Sequence, residues 1–190
     1  LIGSSAGTAI TTGDYNTAVG YVALSEDTTG FANSAVGQSA FQTNTTGSYN
    51  AAFGRQALYA NTTGANNVAI GKGSLNANTT ASGNVAIGTD CMYDNTTGTY
   101  NTAIGGGALA NNTTSHYNTA VGYYALLNST GEANTALGQS SLKSNTTGGA
   151  STAVGHNSLY TNTTGHSNTA IGWDALFANT TGVFNTAIGR

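Results

Sequence analysis

Charged residues, proline and long apolar runs are scarce or absent in this chain of 190 residues, and each absence excludes a class of protein. Only 11 residues are charged and proline does not occur, whereas disordered chains are rich in both, so disorder is disfavoured. Four Lys plus Arg residues and a net charge of −3 provide no basic patch for nucleic acid. No apolar run is long enough for a transmembrane helix, and the single cysteine, Cys91, excludes an intrachain disulfide.

A few small residue types make up most of the chain. Gly, Ala, Thr and Asn account for 112 of the 190 residues. The larger apolar residues are too scattered to fill the core that a globular domain of this length usually builds. We therefore do not expect an ordinary globular enzyme, and something other than a conventional core must order the chain.

An internal repeat of 17 residues explains this composition. An apolar residue followed by glycine recurs from Ile2-Gly3 to Ile188-Gly189, within the consensus N-T-A-[VI]-G-x-x-[AS]-L-x-x-N-T-T-G-x-x. Eleven copies follow one another, so residues 1–190 form a single repeat array. One copy is shorter by one residue, and we place the missing residue in the bend at Leu127. Because the two ends match in phase and show no capping repeat, we expect a fragment of a longer fibre chain, without anchor or chaperone domain.

The length and composition of the unit predict its fold. Seventeen residues are too few for a helix pair, and Asn, Thr, Gly and Val form helices poorly. The unit fits one coil of an all-β, parallel β-solenoid, with a strand such as Thr102 to Gly105, a second strand around Ala108 to Ala110, and a glycine-containing turn. Successive coils then stack at ~4.8 Å, and identical residues form ladders.

The first strand of the unit is apolar on both faces, because Ala and Val or Ile are neighbours in it. We expect Val or Ile to face the coil interior, against the column that contains Leu109. The alanines are then expected to face outward, where a neighbouring copy of the chain covers them. A single-chain solenoid with these alanines on a solvated face remains an alternative. The predicted chain-contact residues are Ala18, Ala35, Ala52, Ala69, Ala86, Ala103, Ala120, Ala136, Ala153, Ala170 and Ala187.

The N-T-T-G segment has the chemistry of a turn, since Asn and Thr can bond nearby backbone groups and Gly accepts positive φ. It also creates an N-x-[ST] acceptor for N-glycosylation in nine consecutive coils. Stacked Asn and Thr ladders that satisfy the turn backbone explain the same residues without sugar, so both interpretations stay open. The candidate glycosylation sites are Asn44, Asn61, Asn78, Asn95, Asn112, Asn128, Asn145, Asn162 and Asn179.

Two columns of the repeat are candidates for surface binding. The residue after the glycine varies from coil to coil, which predicts exposure, and we select Tyr21, Tyr123 and Trp173 from this column as residues that contact a host glycan or protein. A second column, three residues before the alanine, forms either an aromatic strip for a partner or a rim that shields the ladders. Its aromatic members are Tyr15, Tyr49, Tyr100, Tyr117 and Phe184.

No catalytic, metal or cofactor site is predicted. Asp90 and Asp174 share a column five coils apart, roughly 24 Å at the strand spacing, whereas a two-carboxylate glycosidase needs about 5 to 9.5 Å. His116 and His166 are ~14 Å apart by the same spacing, too far to share a metal. Cys91 occupies a column of small residues and is interpreted as a packed thiol.

The pattern N-T-A-[VI]-G-x-x-[AS]-L, seen in Asn101 to Leu109, resembles the S-V-A-I-G-x-x-A motif of YadA-like head domains in trimeric autotransporter adhesins. It is equally similar to the repeat arrays of phage-type tail-fibre proteins that end in a self-cleaving intramolecular chaperone. The likeness covers the whole chain, although the unit is longer than is usual for the adhesin heads. The resemblance implies a left-handed β-roll, three chains around a threefold axis, and an exposed position at a cell or virion surface.

The sequence-based hypothesis is a homotrimeric, extracellular fibre segment of a cell-surface adhesin, tail fibre or filament, with no catalysis and with attachment through variable outward columns. A self-polymerising matrix filament that joins end to end is one alternative. An ice-binding solenoid is another, and it is disfavoured because neighbours such as Thr62 and Thr63 point to opposite faces, which leaves one Thr per side in each coil.

Overall fold

Each repeat unit folds into one coil that contains one short strand. The computed structural model describes residues Leu1–Arg190 and consists of strands and turns, with no helix. The strand is formed by the Thr-Ala-Val or Thr-Ala-Ile segment of the unit or its equivalent. The strands are β1 (Thr17–Val19), β2 (Ser34–Val36), β3 (Ala51–Phe53), β4 (Val68–Ile70), β5 (Val85–Ile87), β6 (Thr102–Ile104), β7 (Thr119–Val121), β8 (Thr135–Leu137), β9 (Thr152–Val154), β10 (Thr169–Ile171) and β11 (Thr186–Ile188).

All eleven strands pair in parallel in one sheet, and they follow one another in sequence order. The register places like residues side by side, since Ala103 of β6 pairs with Ala86 of β5 and with Ala120 of β7. The register also holds across the short coil, where Ala120 pairs with Ala136. The predicted all-β parallel solenoid, with coils of about 17 residues stacked like on like, is therefore confirmed.

The predicted second strand around Ala108 to Ala110 is wrong, because these residues form turns. Gly107 and Leu109 have φ of 64° and 51°, and residues in this left-handed region cannot continue an extended strand. The turns nevertheless bond from coil to coil, as when the Leu109 N–H donates to the Ala125 oxygen at 3.0 Å. Of 124 backbone–backbone hydrogen bonds, 104 lie outside the paired strands, so the stack depends on its turns as well as on its sheet.

The glycine that follows each strand is required by its conformation and its surroundings. Gly105 has a φ of 133°, and a Cβ built there would lie 2.6 Å from the carbonyl oxygen of Gly122 in the next coil. An L-residue fits neither the torsion angle nor the space. This column of glycines therefore lets consecutive coils approach to strand spacing.

The interior of the coil is narrow, with small strand residues on one side and leucines on the other. Ala103 and Leu109 are both fully buried, and they belong to one apolar cluster that runs along the stack. The predicted orientation of the strand is wrong: the alanine column faces inward, and Val or Ile faces outward. The reason is space: Leu109 and the buried asparagines Asn101 and Asn112 share the interior with the strand, and a methyl group fits there.

Candidate binding surfaces

The outward face of the sheet presents two side chains per coil. In β6, Thr102 and Ile104 flank the buried Ala103 and therefore point away from the interior. Ile70 and Leu137, at the position of Ile104, remain 40% and 47% exposed, so an apolar column follows the length of the sheet. This apolar column consists of Val19, Val36, Phe53, Ile70, Ile87, Ile104, Val121, Leu137, Val154, Ile171 and Ile188.

The alanines that were predicted to contact another chain do not reach the surface. Each of them from Ala18 to Ala170 is fully buried within its own chain, and Ala187 of β11 is partly buried. A side chain without exposed surface cannot contact a partner, so the prediction is wrong for this column. A partner that covers the strands would instead contact the apolar column on their other face.

The asparagine of the N-T-T-G turn points into the coil and forms a ladder, here called the inner ladder. The Asn61 side-chain amide donates to Asn44 Oδ1 of the previous coil at 3.2 Å and to the Gly64 carbonyl of its own turn at 3.1 Å. The Gly47 N–H donates to Asn44 Oδ1 at 3.0 Å. Each asparagine therefore satisfies buried turn backbone and bonds the next coil, which is the ladder interpretation that the sequence left open.

The inner ladder limits where sugar can be attached. An N-linked glycan is carried by Nδ2, the atom that donates within the ladder, so attachment to a ladder asparagine requires the turn to open. Asn179 is partly buried and donates to Asn162, whereas Asn128 is exposed. Glycosylation stays a prediction, with Asn128 as the accessible candidate. The fully buried candidates are Asn44, Asn61, Asn78, Asn95, Asn112, Asn145 and Asn162.

Asn128 differs from the other candidates because it does not occupy the ladder position of its coil. That position belongs to Ser129, which is buried and accepts a hydrogen bond from the Asn145 side-chain amide at 3.1 Å. Asn128 lies in an outer column, where its Oδ1 accepts from the Asn111 side-chain amide at 2.7 Å. The sequon at Asn128 is therefore displaced by one residue from the others.

The same register locates the missing residue of the short coil. Leu127 holds an ordinary position, since its carbonyl accepts the Asn111 N–H at 3.0 Å, so the assignment of the deletion to this bend is wrong. The Thr130 N–H donates to Thr146 of the next coil at 2.6 Å, as the first threonine of a turn does. Gly131 follows directly, and the N-T-T-G turn has lost its second threonine.

A second asparagine ladder was not predicted. The Asn118 N–H donates to Asn101 Oδ1 at 2.9 Å, and the Asn101 side-chain amide donates to the Ser115 carbonyl at 2.8 Å. One side chain thus joins the start of the next strand to the turn that precedes it. The available signal was the first letter of the consensus, to which the sequence analysis gave no role.

The threonine pairs of the turn are used partly within the stack. Thr45 Oγ1 donates to the Thr62 carbonyl at 3.0 Å, and Thr62 Oγ1 donates to the Thr79 carbonyl at 3.1 Å. The first threonine of each pair therefore bonds the next coil. The turns therefore do not present two outward side chains that are two residues apart. The strands do, at positions such as Thr102 and Ile104.

Asp27 is the one acid in the inner ladder. Its Oδ1 accepts from the Asn44 side-chain amide at 2.6 Å and from the Gly30 N–H at 3.1 Å. Burial raises the pKa of Asp27 from 3.8 to about 6, although these two hydrogen bonds favour the charged form and limit the rise. The previous coil has Ile10 at this position, and Ile10 offers no hydrogen-bond acceptor. The ladder therefore ends at Asp27, whose carboxylate accepts hydrogen bonds and donates none.

Exposed aromatic residues form local stacks on the outer columns, which are the columns of side chains that point away from the coil interior on the turns. Tyr21, Tyr123 and Trp173 are all exposed, and the Trp173 ring stacks on His156 with centroids 4.4 Å apart. Their role in binding stays a prediction. In the column of Tyr15, only neighbouring coils bring rings together, as in the parallel pair Tyr100 and Tyr117 at 5.8 Å.

A groove that was not predicted from the sequence interrupts the outer columns. It has a volume of about 420 Å³ and is lined by Arg55, Lys72, Gly73, Asp90 and Tyr93, among others. A second hollow of about 290 Å³ shares Asp90 with it and extends to Tyr123 and Tyr124. We call the two together the outer groove. The signal in the sequence is a group of three glycines where other coils carry side chains, at Gly73, Gly106 and Gly107.

The groups that could carry catalysis or bind metal lie apart. No three His, Cys, Asp or Glu residues form a cluster. Cys91 is buried, with its Sγ 3.3 Å from the Ala103 oxygen, and this burial raises the pKa of its thiol to about 12. His116 Nδ1 accepts the Thr99 N–H at 2.9 Å, which bonds it to the previous coil.

Comparison with known proteins gives no match, whether by protein-family model, curated protein or solved structure. The chain contains no helix that is long and apolar enough to cross a membrane.

Proposed function

We propose that this chain is a structural fibre segment, without catalytic activity, that assembles as a homotrimer around a threefold axis. We assign it to a cell-surface adhesin, tail fibre or extracellular filament. The observation that carries the proposal is the apolar column, which stays partly exposed along the whole sheet of the single chain, as at Ile104. Contiguous exposed apolar surface is typical of a protein–protein interface.

A second copy of the same chain is the partner that fits this face best. Burying a Val, Ile or Leu side chain completely is worth about 1.5 to 3 kcal/mol, and a fraction of this gain is repeated at every coil of the column. A partner solenoid has the same ~4.8 Å rise, so its side chains stay in step with the column along the full length. Three copies that present this face to a common axis close the assembly, in agreement with the resemblance to trimeric adhesin heads.

The mechanical role follows from the stack. Backbone bonds in strands and turns, together with two asparagine ladders, connect each coil to the next, as at Asn61 and Asn101. Such a rod holds its shape over its full length, while the outer columns are free to vary. In the proposed fibre these columns, including Tyr21 and Trp173, attach to a receptor at a host surface.

Sedimentation equilibrium tests the assembly. We expect the wild-type chain to sediment at three times its mass of 18.9 kDa. Ile70→Asp combined with Ile104→Asp places charge in the apolar column, and this variant is expected to sediment as a single chain with an unchanged circular dichroism spectrum. Thr97→Asp combined with Thr114→Asp adds the same charge on exposed turns of neighbouring coils and should remain trimeric.

Other results would favour the other hypotheses. A wild-type chain that sediments as a single species of 18.9 kDa contradicts the homotrimer, and thermal hysteresis of that species would favour the ice-binding alternative. Open-ended growth with concentration would favour the self-polymerising filament. An assembly that survives the Ile70→Asp and Ile104→Asp changes contradicts the apolar column as the contact.

A further inference from the structure

We propose that the outer groove binds an acidic oligosaccharide, with its anionic group held by Arg55 and Lys72 and its sugar rings packed on tyrosines. This inference rests on the proposed function, because it assigns a receptor class to one surface of the fibre. The groove lies on the turns that follow the strands, so the apolar column remains free for chain contacts.

The lining of the groove includes two glycines at positions where other coils carry side chains. Gly73 and Gly107 occupy a column that holds Gln56, Asp90 and Tyr124 in the neighbouring coils. Both glycines have left-handed φ, 67° and 64°, which the larger residues of this column share, so the backbone path is unchanged. The Asp90 side chain lies over Gly73 and the Tyr124 ring lies over Gly107, and the groove opens beside them.

The charge of the groove favours an anion. Arg55 and Lys72 are two of the four basic residues of the chain, and they stand on consecutive coils of one column. The only acid in the lining is Asp90, so the groove has a local excess of positive charge in a chain with a net charge of −3. Arginine binds carboxylate and sulfate groups with two parallel hydrogen bonds, and lysine adds a second charge.

The remaining lining favours sugar over other anions. Tyr93 and Tyr123 are exposed at the edges, and their rings offer flat apolar faces to the C–H surface of a pyranose. Asp90, Gln56 and Asn111 supply acceptors and donors for hydroxyl groups. Two cations are too few to neutralise the backbone of a nucleic acid, which binds mainly through many phosphate contacts.

The length of the groove indicates several sugar rings instead of one. Arg55 follows β3 and Tyr123 follows β7, so four coil steps separate them. At the strand spacing this is about 19 Å. An oligosaccharide that lies along the rod would place its anionic group near Arg55 and Lys72 and extend its rings past Tyr93 toward Tyr123.

Titration calorimetry of the full chain with three tetrasaccharides tests the proposal. The probes are a hyaluronan fragment with carboxylates, a chondroitin sulfate fragment with sulfates as well, and neutral chitotetraose. We expect the acidic fragments to bind, more weakly as salt rises, and chitotetraose to bind at least about tenfold more weakly. Comparison of the two acidic fragments shows whether carboxylate alone is sufficient.

Four variants sharpen the result. Arg55→Ala and Lys72→Ala should each weaken binding of the acidic fragments at least about tenfold, whereas Arg190→Ala, a charge removed far along the rod, should not. Ala110→Tyr should fill the groove and abolish binding without changing the melting temperature, because Tyr59, Tyr93 and Tyr160 already stand in that column.

Each contrary result has a definite meaning. Absence of binding, equal binding of chitotetraose, or unchanged binding by Arg55→Ala and Lys72→Ala overturns the acidic oligosaccharide site. If the chain nevertheless sediments as a trimer, the fibre proposal stands without this site. If acidic fragments bind to a chain that remains single, the groove stands and the homotrimer fails.

Discussion

The side-chain amide of Asn145 donates to the Ser129 hydroxyl at 3.1 Å, and this bond carries the inner ladder through the coil that lacks one residue. Asn145 also donates to the Gly148 carbonyl at 2.7 Å, as in the full-length coils. The strands on either side keep their register, with Ala120 opposite Ala136. A turn of this solenoid can therefore lose a residue without displacing the sheet.

We expect Ser129→Ala to destabilise the chain by about 1 kcal/mol, because it removes a buried acceptor from Asn145. Asn128→Ala is the matched control: it removes an exposed hydrogen bond, and surface changes of this kind are usually within about 0.5 kcal/mol. Urea unfolding followed by circular dichroism gives both values. Equal effects of the two substitutions would contradict the assignment of Ser129 to the ladder.

The buried carboxyl of Asp27 should make the folding stability of the chain depend on pH. Burial raises the folded pKa of this carboxyl from 3.8 to about 6, so the folded state binds the proton more tightly than the unfolded state. The contribution of Asp27 to stability is therefore full below about pH 4, declines as pH rises to about 6, and then stays constant. Melting temperatures from pH 4 to 7 measure the decline.

Asp27→Asn isolates the contribution of this carboxyl to the pH dependence. The amide cannot ionise, and it restores the residue that most other coils carry, so the variant should lose the part of the decline that is due to Asp27. An identical pH profile for the wild type and Asp27→Asn would show that the buried carboxyl is not the cause.

Gly105 and Gly98 should respond differently to alanine. Gly105→Ala introduces a Cβ at a φ of 133°, 2.6 Å from the Gly122 oxygen, and should destabilise the chain by at least about 2 kcal/mol. Gly98→Ala should have a smaller effect: a Cβ there also lies close to the Ser115 carbonyl, but Gly98 lacks a left-handed φ, and Ala81 and Ser115 already occupy that column. Thermal unfolding compares the variants, and a larger loss for Gly98→Ala would contradict this account.

Cys91 should be unreactive in the folded chain. Burial raises the pKa of its thiol to about 12, and at pH 8 the thiolate that attacks iodoacetamide is scarce and shielded. Mass spectrometry should show no alkylation until denaturant is added. Cys91→Ala should change stability by less than about 1 kcal/mol, since alanine fills this column in other coils. Rapid alkylation of the native chain would mean that this coil opens.

The sequence predicted the stack and the position of the strand, but not which face of the strand is inside. The repeat period determines that like residues stack, and Thr102 to Gly105 agrees closely with β6. Alternation shows that Ala103 and Ile104 point to opposite faces, yet it does not say which face the coil encloses. That depends on the room left beside Leu109, which a linear pattern does not contain.

Two other features could not be predicted for different reasons. A leucine with φ of 51°, as at Leu109, is disfavoured by its own sterics and is adopted only because coil packing requires it. The outer groove is lined by residues of successive coils, such as Arg55, Lys72 and Asp90, which come together only when positions about 17 apart are brought side by side.

Each strand pairs only with the strands before and after it in the chain, so β6 meets β5 and β7 and no others. Duplication or excision of one whole unit would keep the register of the stack and create new contacts only at one junction. The reach of the rod would change by one increment of ~4.8 Å, and no new folding problem would arise. Natural selection can therefore adjust the span of such a protein in small heritable steps, separately from the residues that it displays.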